Sequence, residues 1–259
     1  MTTRILLIRH GESEGNVNPE SYTEKGDWNI GLTDKGIEQA QCAGIFLREH
    51  FRQTTDKWPL FFVSGYRRPQ ETLSGAYAHF SDAFEGAPKE PYTDPRLSEQ
   101  SFGGLNLLQK LAQQDSALGE HAYMQLQLSK AFIKTDPIKA KALFGESILE
   151  TIANVKAFID GSLQRDLDEG HDYIVIFAHG RVITSFLANW FHVPFDQLKS
   201  LKNPKNCDVI EISGEPKKWQ ARRIWDGENF APANENPLAH IKPITWAGLP
   251  QIPEHLIIK

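Results

Sequence analysis

Three continuous apolar runs punctuate the chain: Ile5-Leu6-Leu7-Ile8, Leu60-Phe61-Phe62-Val63 and Ile174-Val175-Ile176-Phe177-Ala178. Unbroken rather than alternating hydrophobicity predicts strands covered on both faces. A weaker run, Val209-Ile210-Glu211-Ile212, predicts a fourth strand. Between the runs the period lengthens to that of a helix. Thr33 caps a segment in which Ile37, Ala40, Gly44, Leu47 and Phe51 share a face. Pro69 opens a second helix reaching about Phe80. Ile148, Ile152, Val155, Ile159 and Leu163 stripe a third. A fourth begins after His179, with Ile183, Phe186, Leu187 and Trp190 on its apolar side, and Pro194 stops it. Strands alternating with helices predict an α/β fold, a three-layer sandwich with a mainly parallel central sheet and helices on both faces.

Residues from about 104 to 143 break the alternation. Met124, Leu128, Ala131 and Phe132 have helical spacing, and Asp136-Pro137 has the form of a further helix start. This stretch reads as a helical insertion placed to act as a lid. From about 213 to 259 prolines are frequent and no period dominates, so an irregular C-terminal extension is predicted. The whole, residues 1–259, reads as a single domain.

Composition narrows the classes. With 40% hydrophobic and 24% charged residues the chain can bury a core without disulfides or metals. A net charge of −5 argues against nucleic acid, which asks for a basic face. An anionic substrate would then need a local cationic pocket. The two cysteines, Cys42 and Cys207, lie in no C-x-x-C or Cys/His cluster, so no metal site is implied and a reduced, cytoplasmic setting is expected. The apolar run after Met1-Thr2-Thr3-Arg4 is too short for a signal sequence or a membrane span, so no membrane partner is expected.

Candidate chemistry gathers at strand ends. Arg9 and His10 follow the first buried run, and Gly11 lets the backbone turn close to a ligand. His179 and Gly180 stand at the same point after the third run, just before a helix. In open α/β sheets ligands bind beyond the carboxyl ends of the strands, so two His-Gly pairs facing one anion are expected. A lone strand-end histidine is usually a polar residue at the edge of a core. His50, His79, His121, His171, His192, His240 and His255, which lack such company, are read as structural or solvent-facing.

Arg9-His10-Gly11-Glu12-Ser13, with Asn16 beyond it, resembles the signature of the histidine phosphatase superfamily, the phosphoglycerate mutase-like group. Further segments resemble the family's motifs in order. They are Leu32-Thr33-Asp34-Lys35-Gly36-Ile37-Glu38-Gln39-Ala40, Val63-Ser64-Gly65-Tyr66-Arg67-Arg68-Pro69-Gln70-Glu71-Thr72, and Leu97-Ser98-Glu99-Gln100-Ser101-Phe102-Gly103. Gly145-Glu146-Ser147, Ile176-Phe177-Ala178-His179-Gly180 and Asn206-Cys207-Asp208-Val209 complete the set.

The resemblance implies a phosphoric monoester hydrolase that needs neither metal nor cofactor. His10 would be the nucleophile and become phosphohistidine. Arg9, Arg68 and His179 would clamp the transferring group, with Asn16 adding a neutral donor and Gly180 backing the phosphate. Glu99 would protonate the leaving group and later deprotonate water. Arg67 is the register rival of Arg68, and Glu12 is given no catalytic role. An imidazole attacks only when unprotonated, and guanidinium groups beside His10 would push its pKa down. The same groups match phosphate oxygens with forked donors.

Three activities follow from the resemblance. A mutase pattern, F-T-G-W-x-D, is not intact in Ser21-Tyr22-Thr23-Glu24-Lys25-Gly26-Asp27-Trp28, and Gly104-Leu105-Asn106-Leu107 echoes G-L-N-K only in part. That favours a phosphatase over a mutase. A phospholigand-binding scaffold on a dead enzyme fold ranks third, because Arg9, His10, Arg68 and His179 are all present. The expected partner is a small-molecule phosphoester, with a phosphoprotein as the wider class. The exposed side of the insertion helices is where a dimer would form, but the sequence assigns no oligomeric state.

Overall fold

The run beginning at Ile5 forms the middle strand of a seven-stranded sheet. The computed structural model describes residues 2–215 and 218–245. The strands are β1 (Thr3–Arg9), β2 (Leu60–Val63), β3 (Tyr92–Thr93), β4 (Tyr173–Ala178), β5 (Val209–Gly214), β6 (Gln220–Asp226) and β7 (Ala231–Glu235), in the order β3-β2-β4-β1-β5-β6-β7. β3, β2, β4 and β1 run parallel. β5, β6 and β7 extend the sheet antiparallel from the other side of β1. The sheet is therefore mixed, parallel in the half that carries the three strong apolar runs.

Between the strands lie α1 (Glu14–Val17), α2 (Ser21–Lys25), α3 (Asp34–Thr54), α4 (Arg67–Phe80), α5 (Leu105–Leu111), α6 (Ala117–Thr135), α7 (Ile148–Phe158), α8 (Gln164–Asp168) and α9 (Gly180–Trp190). Alternate residues of each apolar run serve opposite layers, because successive side chains of a strand point to opposite faces. Ile5, Leu7, Phe62, Ile174 and Ile176 meet Val155 and Phe158 of α7 and Val182, Ile183 and Phe186 of α9. Leu6, Ile8, Phe61, Val175 and Phe177 meet Ala40, Leu47 and Phe51 of α3 and Ala76 and Phe80 of α4. This two-sided burial is why the runs are continuous. Among the described residues no helix is long and apolar enough to cross a membrane.

Several local expectations shift. Thr33 does cap α3, its Oγ1 accepting from Gly36 N at 3.1 Å, but Ile37 is 44% exposed and Gln39 is buried in its place. The helix predicted to open at Pro69 begins at Arg67, with Pro69 in its first turn. The first-turn N–H groups have no intrahelical acceptor, so a proline there removes nothing. The stripe from Ile148 to Leu163 continues through a π-turn, Ile159–Leu163, into α8. The helix start read at Asp136-Pro137 gives only one turn, closed by Ala140 N on Asp136 O at 2.7 Å.

The predicted irregular C-terminal extension holds the end of β5 and the strands β6 and β7. β7 is a largely exposed edge strand containing Pro232, so it needs neither apolar alternation nor a full set of donors. β6 spends alternation on Arg222 and Arg223. The rest of that extension, 246–259, lies outside the described residues, as do 216 and 217.

Candidate active site

Strand pairing brings the two histidines together. β1 and β4 are parallel with Arg9 opposite Ala178, so the next residues, His10 and His179, leave the sheet side by side. His10 N donates to Ala178 O at 3.0 Å, and the two imidazole centroids are 5.2 Å apart at 66°. From the other side Cys207 N donates to both Arg9 O at 3.2 Å and His10 O at 3.3 Å. Asn206 Nδ2 adds a bond to His10 O at 3.0 Å. The backbone of His10 is thus held by β4 on one side and by the loop leading into β5 on the other.

His10 is 3% exposed. Its Nδ1 lies 2.7 Å from Gly11 O, which can only accept, so Nδ1 carries the proton. Nε2 is then a lone-pair nitrogen, and Arg68 Nε donates to it at 3.2 Å. Burial, then the charges of Arg68 and Arg9, hold the imidazole well below its ordinary pKa. Gly11 is required by packing and not by a left-handed backbone: a Cβ there would lie 2.4 Å from Gly36 O, where the loop crosses the start of α3. Thr72 Oγ1 on α4 accepts from Gly11 N at 3.0 Å.

Arg68 points inward and is 2% exposed, whereas its neighbour Arg67 faces out and pairs with Glu71 at 2.6 Å. Arg68 Nη1 donates to Asp27 O at 2.7 Å and to Asp27 Oδ1 at 2.8 Å. Arg9 Nη1 donates to Pro204 O at 2.7 Å, while its buried Nε has no partner. Gly180 stands beside it: a Cβ there would come within 3.2 Å of Asn203 and 3.5 Å of Arg9 Nε.

His179 is fully buried at the position preceding α9, and its side chain makes no capping bond. Ser64 Oγ lies 2.9 Å from its Nε2, and its Nδ1 has no partner. Burial, then Arg68, keeps this imidazole neutral too. Asn16 Oδ1 accepts from Ser13 N at 3.0 Å, Ser13 Oγ at 3.1 Å and Asn206 Nδ2 at 3.2 Å, which leaves its amide NH2 as a donor. Glu99 is half-buried, accepts from Gln100 N at 2.9 Å, and burial pushes its carboxyl up in spite of Arg68 and Arg9. Glu12 pairs with Lys35 at 3.0 Å on the surface side.

Several contributors were not singled out from the sequence. Ser64 and Asn206 lay inside the quoted motifs, so the signal was present. Asp27 lay in the stretch read only for mutase character. Tyr66, edge-on to His179 at 5.1 Å and 5.3 Å from the Arg68 guanidinium, also lay inside a quoted motif. Arg181, second residue of α9, is half-buried with its Nε unpartnered, and Glu99 is the charge that acts on it. Among the described residues no group of three or more His, Cys, Asp or Glu side chains is arranged to hold a metal ion.

On the far side of Asp27, which bonds Arg68, opens a cavity of about 530 Å³ whose lining includes Tyr22, Thr23, Asp27, Ser101, Leu105 and Leu107. Two of its walls are α2 and the start of α5, in the region predicted as an insertion. The arrangement offers an unprotonated imidazole nitrogen, guanidinium and imidazole donors around one point, and a carboxyl group able to carry a proton.

Known proteins resemble the chain in sequence and fold. A phosphoglycerate mutase-like protein of Arabidopsis thaliana, AT74, is 30% identical over 217 residues, which cover 80% of this chain and 63% of that protein. The chain therefore spans less than two thirds of that relative. A 2,3-bisphosphoglycerate-dependent phosphoglycerate mutase of Erythrobacter litoralis (strain HTCC2594) is 32% identical over 223 residues, covering 80% of this chain and 91% of the mutase. Among solved structures, mycobacterial glucosyl-3-phosphoglycerate phosphatase in complex with VO3 shares the fold with a TM-score of 0.60 at 20% identity, over 86% of this chain and 98% of that one. The family model for the histidine phosphatase superfamily (branch 1) matches residues 5–227, and the chain belongs to that superfamily.

Proposed function

We propose that the chain is a phosphomonoester hydrolase working through a phosphohistidine on His10. The observation that carries this reading is the tautomer: Nδ1 bonded to Gly11 O at 2.7 Å leaves Nε2 with a lone pair beside Arg68. Nε2 attacks phosphorus, a P–N bond forms, and the P–O bond to the leaving group breaks with its electron pair on oxygen. Glu99, whose carboxyl burial pushes up from its ordinary pKa, gives that oxygen its proton when protonated. Water then attacks the phosphohistidine, Glu99 carboxylate takes the water's proton, and the P–N bond breaks to return neutral His10.

Charge spreads over the equatorial oxygens during transfer, so catalysis is mostly positioning and electrostatics. Arg9 and Arg68 supply the cationic donors. His179 supplies Nδ1–H, and Asn16 supplies its NH2 group. Gly180 keeps the α9 terminus close to Arg9. No step calls on a metal, because the guanidinium groups neutralise the phosphoryl oxygens.

The cavity between α2 and α5 suits the leaving group of a small-molecule phosphoester better than a protein segment. The names of the mutase relatives support phosphoryl transfer between positions of one substrate as a second reading. Asp27 bears on that choice: the segment that would read the carboxylate end of a mutase substrate is spent on holding Arg68. The two free thiols fit a reducing compartment, and we place the protein in the cytoplasm.

The test is a phosphoester panel with chelator present, run on the native protein and on His10→Ala. Hydrolysis that vanishes in His10→Ala, with an acid-labile phosphoprotein trapped by rapid quench, is expected. Turnover of phosphoglycerate only with added bisphosphoglycerate would favour the mutase. Hydrolysis surviving in His10→Ala would end the reading.

A further inference from the structure

Helix α6 is the least buried long element of the molecule. Only Gly119, Ala122 and Leu126 of Ala117–Thr135 are buried, and they face α5. Met124, Leu128 and Phe132, whose spacing would ordinarily mark a core face, are 61%, 53% and 64% exposed. A stripe of this kind facing water marks an interaction site when it is continuous.

The stripe has heptad order. Ala117, Met124 and Ala131 take one seam position, and His121, Leu128 and Thr135 take the other, all six exposed. Glu120, Gln127 and Lys134 flank the seam on one side, and Leu118, Gln125 and Phe132 on the other. On the first flank Glu120 and Lys134 stand seven residues on either side of Gln127. On the second, Leu118 and Phe132 stand seven residues on either side of Gln125. Among the described residues neither Glu120 nor Lys134 has an ion-pair partner within the chain.

We infer that α6 is a self-association face, pairing antiparallel with α6 of a second copy about a two-fold axis near Gln127. In antiparallel helix pairs like flanks meet. One register then satisfies every level at once. Leu128 packs on Met124 of the second copy and the reverse, His121 faces Ala131, Leu118 meets Phe132, and Glu120 meets Lys134. Each pairing occurs twice, which is the condition of an isologous interface. A parallel pairing would bring opposite flanks together and set Glu120 and Lys134 against the Leu118–Phe132 side, leaving the charges unmatched. The charge arrangement is what selects a second copy of this chain over an unrelated apolar partner.

The pairing also bears on the cavity. α6 packs on α5, and Leu105, Asn106 and Leu107 of α5 line the cleft. A second copy bracing α6 would hold that wall in place. A single helix pair covers less than the roughly 1,600 Å² of a standard interface, so association in the micromolar range is expected.

Sedimentation and light scattering of the full chain across micromolar concentrations test this. A dimer is expected for the native protein and a monomer for Leu128→Glu, with unchanged circular dichroism because the position is exposed. Glu120→Lys and Lys134→Glu should each weaken association by about tenfold at low salt, since each turns both ion pairs into repulsions. The double variant should restore it. A native protein that stays monomeric overturns the inference. So does a dimer indifferent to Leu128→Glu. Failure of the double variant to recover would overturn the antiparallel register. Binding of the native protein, but not Leu128→Glu, to phosphatidylcholine vesicles in place of dimerisation would assign the stripe to a lipid surface instead.

Discussion

Ser64 Oγ stands 2.9 Å from His179 Nε2 and accepts from Tyr66 N at 3.3 Å, so its own hydrogen is free to point at the imidazole. Donation by that hydroxyl to Nε2 favours the tautomer of neutral His179 with its proton on Nδ1, the nitrogen without a partner. In the proposed reaction, a serine at the end of β2 thereby biases which nitrogen of the second histidine donates to the phosphoryl group.

Removing that hydroxyl should free the ring to take either tautomer. We expect Ser64→Ala to lower kcat by roughly 10- to 100-fold, since a small misplacement of one clamp residue has effects of that order. The check is the nitrogen chemical shifts of His179, which should move from one tautomer to a mixture. An unchanged tautomer with unchanged kcat would remove Ser64 from the site.

Glu99 should matter most where the leaving group is poor. We expect Glu99→Gln to cost roughly 10²–10⁴-fold with alkyl phosphates and little with a nitrophenyl ester. The native kcat should fall as pH rises through the raised pKa of this carboxyl, because only the protonated form donates. Arg181 favours the ionised form, so Arg181→Leu should move that limb to higher pH. Rate against leaving-group pKa and pH reads both effects, and equal losses for the two ester classes would assign the acid elsewhere.

Asp27 carries no chemistry, yet it holds Arg68 by two bonds. Asp27→Ala leaves a 2% exposed guanidinium with only His10 as a side-chain hydrogen-bond partner. Because the carboxylate itself is partly exposed, we expect a loss of about 1–3 kcal/mol, below the range for a wholly buried pair. Urea denaturation measures this, and a raised Ki for inorganic phosphate as a competitive inhibitor should accompany it.

Two buried neutral imidazoles make the fold acid-sensitive. His10 and His179 have folded pKa values held below the ordinary one, so between those values and about 6.5 the unfolded chain binds more protons than the folded one. Stability is therefore full above that window and falls as pH drops through it. Each histidine contributes a slope of up to about 1.4 kcal/mol per pH unit. His10→Asn should remove about half of the slope in urea titrations between pH 7.5 and 5.5, and an unaltered slope would contradict the burial argument.

The crossing of the first loop over α3 admits no side chain. Gly36→Ala would set a Cβ 2.0 Å from Glu12 O. We expect destabilisation of about 1–3 kcal/mol, the range for overpacking, together with loss of turnover, because Glu12 and His10 share that loop. Thermal melting and a nitrophenyl phosphate assay separate the two effects.

The parallel half of the fold and the pair His10 and His179 were legible because their signals are local. A strand buried on both faces must be apolar throughout, and a strand-tip histidine before a glycine is visible in three letters. What escaped depends on distance in the chain. Asp27 reaches Arg68 from a single 3-10 turn, and nothing in Gly26-Asp27-Trp28 announces an arginine forty-one residues away. The β6–β7 extension escaped because a half-exposed sheet edge has no need of a period. The α6 stripe was read correctly as helical, but a pattern of apolar positions does not say whether its cover is the same chain or another molecule.

β1, the strand that leads into His10, has a neighbour on each side, while the sheet ends in a two-residue strand, β3, at one border and in the exposed β7 at the other. Fraying under heat or mild denaturant should therefore start at the borders and reach β1 last. Amide exchange would be slowest at Leu6 to Ile8, and the chemistry would outlast much of the molecule's outer order.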